Sequence, residues 1–205
     1  MSMERAKSLE PCPVGAEELA EINRFTRTPL TAEEVYARVN PATVTVVCDV
    51  SDTSASVGTG VIITADGYVL TNHHVVAGGR NCTVTLSDNV QYEGKYVVSD
   101  EVNDLAVLKI VDARDLPTAE LGDSSLLTVG ETVYAIGNPL GVELRGTFTD
   151  GLVSALDRDV DVDGVSMVLI QTSAAINMGN SGGALINQYG QVVGITTVKI
   201  VTDDG

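Results

Sequence analysis

The sequence predicts an all-β protein, built as a sandwich or a barrel, and three observations support this fold class. From residue 43 onward the chain is a series of short runs rich in β-branched residues, separated by Gly, Asp, Asn or Pro. No long helical pattern interrupts these runs. With 205 residues, 44% of them hydrophobic and 20% charged, the chain has the composition of a globular protein and can form one large domain or two small ones.

Two short helices are predicted before Pro41. Apolar residues recur at helical spacing among glutamates between residues 15 and 38, and Pro29 divides this stretch in two. The segment Thr31-Ala32-Glu33-Glu34 has the form of a capping box, in which a threonine hydroxyl and a glutamate carboxylate each accept from the other's backbone N–H. The second helix is therefore expected to start at this box and to end at Pro41.

About ten to twelve strands are predicted after this helix, because each run combines β-branched residues with flanking turn residues. The clearest runs are Thr43–Val50, Gly60–Thr64, Cys82–Leu86, Val90–Val98, Leu105–Val111, Thr132–Ile136, Thr147–Leu156, Met167–Thr172, Ala184–Asn187 and Val192–Val201. The segment Gly67–Asn72 also has the pattern of a strand. The stretch Asp112–Glu120, which contains Pro117, lies near the middle of the series and is the expected boundary between two halves.

Charge and cysteine content exclude several classes of partner and site. The chain has 28 acidic and 12 basic residues, a net charge of −16, and such a field repels nucleic-acid phosphates. Cys12, Cys48 and Cys82 show no C-x-x-C spacing, so no usual zinc site can be assembled. One disulfide, for example Cys48–Cys82, is compatible with the sequence. With no apolar run of 18 residues and no signal peptide, the given sequence is expected to be soluble.

A glycine-rich segment around Ser181 is the first candidate for chemistry. In Asn177-Met178-Gly179-Asn180-Ser181-Gly182-Gly183, the glycines allow a tight turn whose backbone N–H groups can hold an oxyanion beside the serine hydroxyl. A plain hairpin turn is the alternative. The pattern also fits the nucleophile elbow of the α/β-hydrolases, but there the histidine follows the serine. Because the only histidines, His73 and His74, lie upstream, the remaining enzymatic interpretation is a His, Asp, Ser order on an all-β chain.

A general base and an orienting carboxylate can be assigned to the first half of the chain. The two histidines lie where the predicted strand Gly67–Asn72 ends, and an imidazole with an ordinary pKa of about 6.5 suits proton transfer near neutrality. Asp104 stands at the entry to the apolar run Leu105–Ile110, where it can orient an imidazole. A surface histidine pair and an exposed strand-start aspartate are the alternatives. Because Ser181 belongs to the second half, a site between the halves is expected.

Five segments, in this order, resemble the protease domain of the HtrA/Deg family. They are Thr71–Val76, Asn103–Lys109, Ile136–Pro139, Gly151–Ala155 and Gln171–Leu185, and the resemblance covers residues 31 to 200. It implies a trypsin-like serine endopeptidase with the chymotrypsin-like double six-stranded β-barrel and short N-terminal helices. It also divides the chain into an N-terminal extension (1–30), an N-terminal barrel with its helix (31–115) and a C-terminal barrel (116–205).

The resemblance also implies the role of each catalytic residue. Ser181 corresponds to the nucleophile, and Asp104 to the orienting carboxylate. His74, and not His73, corresponds to the general base, because the family's catalytic histidine directly precedes a Val-Val pair. The backbone N–H groups of Gly179 and Ser181 correspond to the oxyanion hole.

Substrate specificity follows from the same correspondence. Ile176, Thr197 and Val198 are expected to line the pocket for the residue before the scissile bond, and the strand carrying the latter two to pair with substrate. Ala175 stands where Arg- or Lys-directed relatives have aspartate, so the pocket is expected to be shallow and apolar and to favour Val, Ala, Ile, Leu or Thr.

The expected partners are unfolded or extended polypeptides, with neither metal nor cofactor, and the implied role is protein quality control outside the cytoplasm. The resemblance further implies a homotrimer and a parent protein with a membrane anchor and a PDZ domain. Because the sequence stops at Gly205, the C-terminal barrel is expected to lack its last strand. The alternative function is a catalytically silent peptide-binding scaffold or holdase on the same fold.

Overall fold

The structure is a computed structural model that describes residues 27–138, 146–162 and 165–197. Helix α1 (Ala32–Val39) comes first, and the predicted capping box starts it: the Thr31 hydroxyl accepts from the Glu34 N–H, and the Glu34 carboxylate accepts from the Thr31 N–H. A 3-10 helix, Asn40–Ala42, follows and contains Pro41. The helix predicted upstream of Pro29 lies outside the described residues.

The first half of the described chain closes into a six-stranded antiparallel barrel. Its strands are β1 (Thr43–Ser51), β2 (Ser54–Ile62), β3 (Tyr68–Thr71), β4 (Asn81–Thr85), β5 (Gln91–Asp100) and β6 (Leu105–Ile110), in the order β1-β2-β3-β6-β5-β4. A one-turn helix, α2 (His73–Val76), lies between β3 and β4. The barrel interior is filled by fully buried side chains such as Val46, Ile62 and Leu108.

The second half is a curled six-stranded sheet. Its strands are β7 (Glu120–Leu121), β8 (Thr132–Gly137), β9 (Thr147–Val162), β10 (Val165–Thr172), β11 (Ala184–Asn187) and β12 (Gln191–Ile195), with a 3-10 helix, Ser124–Leu126, after β7. Their order is β10-β9-β8-β11-β12-β7, and β7 is the one parallel member among the described strands. The prediction of an all-β, chymotrypsin-like fold is confirmed.

Some predicted strand limits were wrong. Strand β2 starts at Ser54 and not at Gly60, because its polar first half pairs with β1 through a tight turn that sets Ser51 opposite Ser54. Strand β7 was not predicted, since its two residues are too short to show any periodicity.

A shared hydrophobic core joins the two halves. Ile136 and Ile186 of the second sheet belong to the same buried cluster as Val44 and Val46 of the barrel. Helix α1 adds Val35 and Val39 to this cluster. Because packed interiors resist displacement, this core holds the halves in one relative orientation.

Nearby, Cys48 of β1 and Cys82 of β4 stand directly opposite each other and form a disulfide. The disulfide that the sequence allowed is therefore present in the structure. Among the described residues, none of the helices has the length and apolar character needed to cross a membrane.

Candidate active site

The side chains of His74 and Asp104 form a hydrogen-bonded pair at the end of the first barrel. Nδ1 of His74 lies 2.8 Å from Oδ2 of Asp104, and the backbone N–H of His74 donates to Oδ1 at 3.0 Å. The His74 side chain is 35% exposed, whereas that of Asp104 is only 1% exposed. The pair thus combines an accessible imidazole with a carboxylate shielded from water.

The backbone around Asp104 fixes this carboxylate. Asp104 adopts the left-handed conformation, with φ of 52°, which aspartate tolerates better than most residues. Its carbonyl accepts from the Asn72 side-chain amide at 2.8 Å and from the His73 N–H at 3.1 Å. Asn72 and His73, at the start of helix α2, therefore hold the Asp104 carbonyl, while His74 of the same helix bonds the carboxylate.

The charge state of Asp104 sets the tautomer of His74. Burial opposes ionisation of the carboxyl, but hydrogen bonds from the ring and backbone of His74, its positive charge, and a hydrogen bond from Thr197 outweigh burial and lower the pKa of Asp104. An ionised carboxylate can only accept, so Nδ1 must donate. In the neutral ring the lone pair then lies on Nε2, and the exposed nitrogen can accept a proton.

The segment that carries Ser181 is a tight turn. The Asn180 N–H donates to the Asn177 carbonyl at 3.0 Å, and Gly179 has φ of 93°, as position three of a type II turn requires. Gly182, with φ of 86°, must also be glycine, because a Cβ there would lie 2.0 Å from the Thr59 carbonyl oxygen. These glycines let the segment pack directly on strand β2.

Thr59 of β2 attaches the Ser181 turn to the first barrel. Its backbone N–H donates to the Ser181 carbonyl at 2.8 Å, and its hydroxyl donates to the Gly179 carbonyl at 2.8 Å. The Thr59 carbonyl in turn accepts from the Thr71 hydroxyl at 2.6 Å, two residues before His73. This series of bonds connects the serine turn with the strand that leads to the histidines.

A second connection runs from the end of β12 to Asp104. Gly182 N–H donates to the Thr196 carbonyl at 2.8 Å, and the next residue, Thr197, donates its hydroxyl to Oδ2 of Asp104 at 3.0 Å. Of the residues predicted to line the specificity pocket, Thr197 thus bonds to the Asp104 carboxylate and Ile176 is partly buried. Val198 lies outside the described residues.

Several contributors to this site were not singled out from the sequence. These contributors form hydrogen bonds to residues distant in sequence; they are Thr59, Asn72, Thr196 and the hydroxyl group of Thr197. One signal could have located Thr59: it stands between Gly58 and Gly60 inside a strand, and glycine in a strand marks a close approach of another backbone. A Cβ at Gly58 would lie 3.0 Å from the Ser181 carbonyl oxygen.

Metal chemistry has no candidate ligands in the described part of the chain. Within residues 27–138, 146–162 and 165–197, no group of three or more His, Cys, Asp or Glu side chains could hold a metal ion. The described site consists of an imidazole oriented by a buried carboxylate and of a glycine-rich turn that carries Ser181, and hydrogen bonds through Thr59 and Thr197 connect the two parts.

Comparison with known proteins places this geometry in a family. The model of the trypsin-like peptidase domain matches residues 58–195. The serine protease Do-like HtrA of Bacillus subtilis (strain 168) is 47% identical over 160 residues, which are 75% of this chain and 36% of that protein. A probable periplasmic serine endoprotease, DegP-like, of Pseudomonas savastanoi pv. phaseolicola is 49% identical over 150 residues, covering 73% of this chain and 30% of that protein.

Solved structures agree with this assignment. The HtrA-type protease AlgW with tripeptide superposes with a TM-score of 0.74 at 40% identity, over 81% of this chain and 54% of that one. The same protease with decapeptide superposes with a TM-score of 0.74 at 34% identity, over 84% of this chain and 60% of that one. The chain thus spans about a third of the length of the curated relatives it matches. The predicted resemblance to the HtrA/Deg family is confirmed by these relatives, and the chain belongs to the trypsin-like peptidase domain family.

Proposed function

We propose that this chain is a serine endopeptidase in which Ser181 is the nucleophile, His74 the general base and Asp104 the orienting carboxylate. The single observation that carries the proposal is the 2.8 Å contact between Nδ1 of His74 and the buried Asp104 carboxylate. The bonds through Thr59 and Thr197 support it, because they link the Ser181 turn to that pair.

The mechanism follows from these positions. Ser181 Oγ attacks the carbonyl carbon of the scissile peptide while His74 Nε2 takes the hydroxyl proton, and Asp104 stabilises the imidazolium that forms. The developing oxyanion is held by the N–H groups of Gly179 and Ser181, each of which is worth about 10²–10³ in rate in comparable enzymes. His74 then gives its proton to the leaving amine, and water hydrolyses the acyl-enzyme by the same route.

The proposed substrates are unfolded or extended polypeptides cut after small aliphatic residues. The solved neighbours are complexes with a tripeptide and with a decapeptide, which favours extended peptide substrates. Ala175 supplies no negative charge for an Arg or Lys side chain, and Ile176 offers an apolar wall. In this proposal the pocket for the residue before the scissile bond is lined by Ile176, Thr197 and Val198.

The proposed setting is protein quality control outside the cytoplasm. Two findings support this setting: a relative is named as a probable periplasmic endoprotease, and the Cys48–Cys82 disulfide is of a type that persists in oxidising compartments.

The proposal is tested with unfolded casein and a peptide library. We expect the wild type to cleave casein mainly after Val, Ala, Ile, Leu or Thr, and we expect Ser181→Ala to be inactive. The control variant Ser54→Ala changes an exposed serine on β2 and should be as active as the wild type. Dominant cleavage after Arg or Lys would overturn the pocket assignment. A folded wild type that binds casein without cleaving it would favour the holdase.

A further inference from the structure

Three successive carbonyls of the Ser181 turn are held by donors on Thr59 of β2 and on Thr196, which directly follows β12. Gly179 O accepts from the Thr59 hydroxyl at 2.8 Å, Asn180 O from the Thr196 hydroxyl at 2.6 Å, and Ser181 O from the Thr59 N–H at 2.8 Å. Thr59 is fully buried and Thr196 is 4% exposed, so both hydroxyls are shielded from water. We call these two side chains the threonine pair.

The Thr196 bond determines where the Ser181 N–H points. In a trans peptide the carbonyl and the following N–H point in opposite directions, so the Asn180 carbonyl and the Ser181 N–H share one rigid plane. The carbonyl is held by the Thr196 hydroxyl and by the Gly183 N–H at 2.8 Å. The Ser181 N–H is therefore directed away from Thr196.

The Thr59 hydroxyl fixes the preceding peptide plane, which lies between Gly179 and Asn180. Asn138 N–H donates to Thr59 Oγ1 at 2.8 Å, which leaves the single hydroxyl proton for the Gly179 carbonyl. The other end of that plane, the Asn180 N–H, is bonded to Asn177. The plane between Gly179 and Asn180 is thus held at both ends.

Two backbone hydrogen bonds just beyond the end of β12 position Thr196 itself. Its N–H donates to Gly183 O and its carbonyl accepts from Gly182 N–H, both at 2.8 Å. The Thr196 hydroxyl therefore bonds to Asn180 O from a backbone that is itself bonded to the turn. Because threonine is β-branched and has few χ1 rotamers, the direction of this hydroxyl is well defined.

We propose that the threonine pair, Thr59 and Thr196, are positioning residues that orient the backbone N–H donors of the oxyanion hole. This inference rests on the proposed function, since it assigns how the Ser181 turn stabilises the tetrahedral intermediate. Neither threonine touches the reacting atoms. Thr196 acts by holding the Asn180 carbonyl so that the Ser181 N–H, on the opposite side of that peptide plane, stays aimed at the developing charge. Thr59 acts by holding the Gly179 carbonyl, which fixes the peptide plane between Gly179 and Asn180 in the stretch of backbone that joins the two donor residues, Gly179 and Ser181.

The test compares Thr196→Val with Thr196→Ser and with a matched control, Thr43→Val. Thr43 is also buried and donates its hydroxyl to a backbone carbonyl, that of Val39 at 3.2 Å, but it lies at the start of β1. We expect Thr196→Val to lower kcat by about 10- to 100-fold with KM changed less than about twofold, because the donor acts on the transition state. Thr196→Ser and Thr43→Val should keep kcat within about threefold of the wild type.

A second readout separates positioning from a general structural role. A peptide aldehyde forms a tetrahedral adduct whose oxygen occupies the oxyanion hole, so its inhibition constant should rise in Thr196→Val in parallel with the loss of kcat. If Thr196→Val does not fold, as judged by circular dichroism, Thr196→Ala is compared with Thr196→Ser instead.

Three results would overturn the inference while leaving the proposed function intact: an unchanged kcat in Thr196→Val, an equal loss in Thr196→Ser, or a loss confined to KM. A wild type that neither cleaves casein nor reacts with a fluorophosphonate would instead remove the proposed function, and this inference with it.

Discussion

Asp104 uses its two carboxylate oxygens for different tasks toward His74: Oδ1 accepts the backbone N–H at 3.0 Å, and Oδ2 lies 2.8 Å from the ring nitrogen Nδ1. Oδ2 also accepts from the Thr197 hydroxyl. The orientation of the ring and the position of the helix that carries it are thus set by one buried side chain.

Asp104→Asn is expected to preserve this geometry and reverse the tautomer. The amide oxygen will remain with the backbone N–H of His74, which places the NH₂ group toward Nδ1. Nδ1 must then accept, the ring proton moves to Nε2, and His74 can no longer take the serine proton. We expect kcat to fall by about 10⁴, as for the equivalent change in serine proteases, with a native circular dichroism spectrum. A loss of less than about tenfold would contradict the assigned role of Asp104.

The stability of the fold should depend on pH through Asp104. Because the folded-state pKa of this carboxyl is lowered, the folded protein binds its proton more weakly than the unfolded chain. The resulting stabilisation is present above the ordinary aspartate pKa of about 4 and is lost as the pH falls toward the folded-state value.

Chemical denaturation of the wild type and Asp104→Asn between neutral and acidic pH measures this effect. The free energies of unfolding of the wild type and of Asp104→Asn should differ most at neutral pH, and this difference should become smaller as the pH falls. The pKa values of Asp100 and Asp123 are also lowered, through hydrogen bonds from Asn103 and Ser125, but both residues are common to the two proteins and cancel. A difference that stays constant or grows in acid would show that Asp104 is not the group responsible.

Gly182→Ala should damage both stability and activity. The left-handed backbone alone costs an alanine about 1–2 kcal/mol. In addition, the new Cβ would lie 2.0 Å from the Thr59 carbonyl oxygen, so the Ser181 turn must move away from β2. Thermal unfolding and casein hydrolysis measure the two effects.

Gly130→Ala is the matched control, because Gly130 has φ of 94° and open space around it. Gly130→Ala should lose only the free energy of unfolding that a left-handed backbone costs an alanine, and it should keep full activity. Equal destabilisation by the two variants, with Gly182→Ala still active, would refute the packing of the turn on Thr59.

The Cys48–Cys82 disulfide should stabilise the first barrel. It closes a loop with a sequence separation of 34, and the chain-entropy model assigns about 3–4 kcal/mol to such a loop. The double variant Cys48→Ala, Cys82→Ala should lose about this much free energy of unfolding. Equal stability of the double variant and the wild type under oxidising conditions would contradict the pairing.

The fold and the proposed catalytic residues could be predicted because both leave local signals in the sequence. Alternating β-branched runs mark strands, and glycines mark the turn around Ser181, where positive φ and close packing exclude other residues. The hydrogen bond of Thr196 left no such signal, and that of Thr59 left only the position of this residue between two glycines of a strand. Their function depends on which carbonyl lies opposite each hydroxyl after folding, across sequence separations of 120 for Thr59 and 16 for Thr196.

Covalent labelling with a fluorophosphonate, followed by mass spectrometry of the digested protein, tests the central claim most directly. Phosphonylation requires a serine activated by its neighbouring base, so we expect one adduct, on Ser181, formed by the wild type and absent from Ser181→Ala. The rate should fall by at least about 10³ in His74→Ala, which removes the base. An adduct on another serine, or equal labelling of the wild type and His74→Ala, would contradict the account.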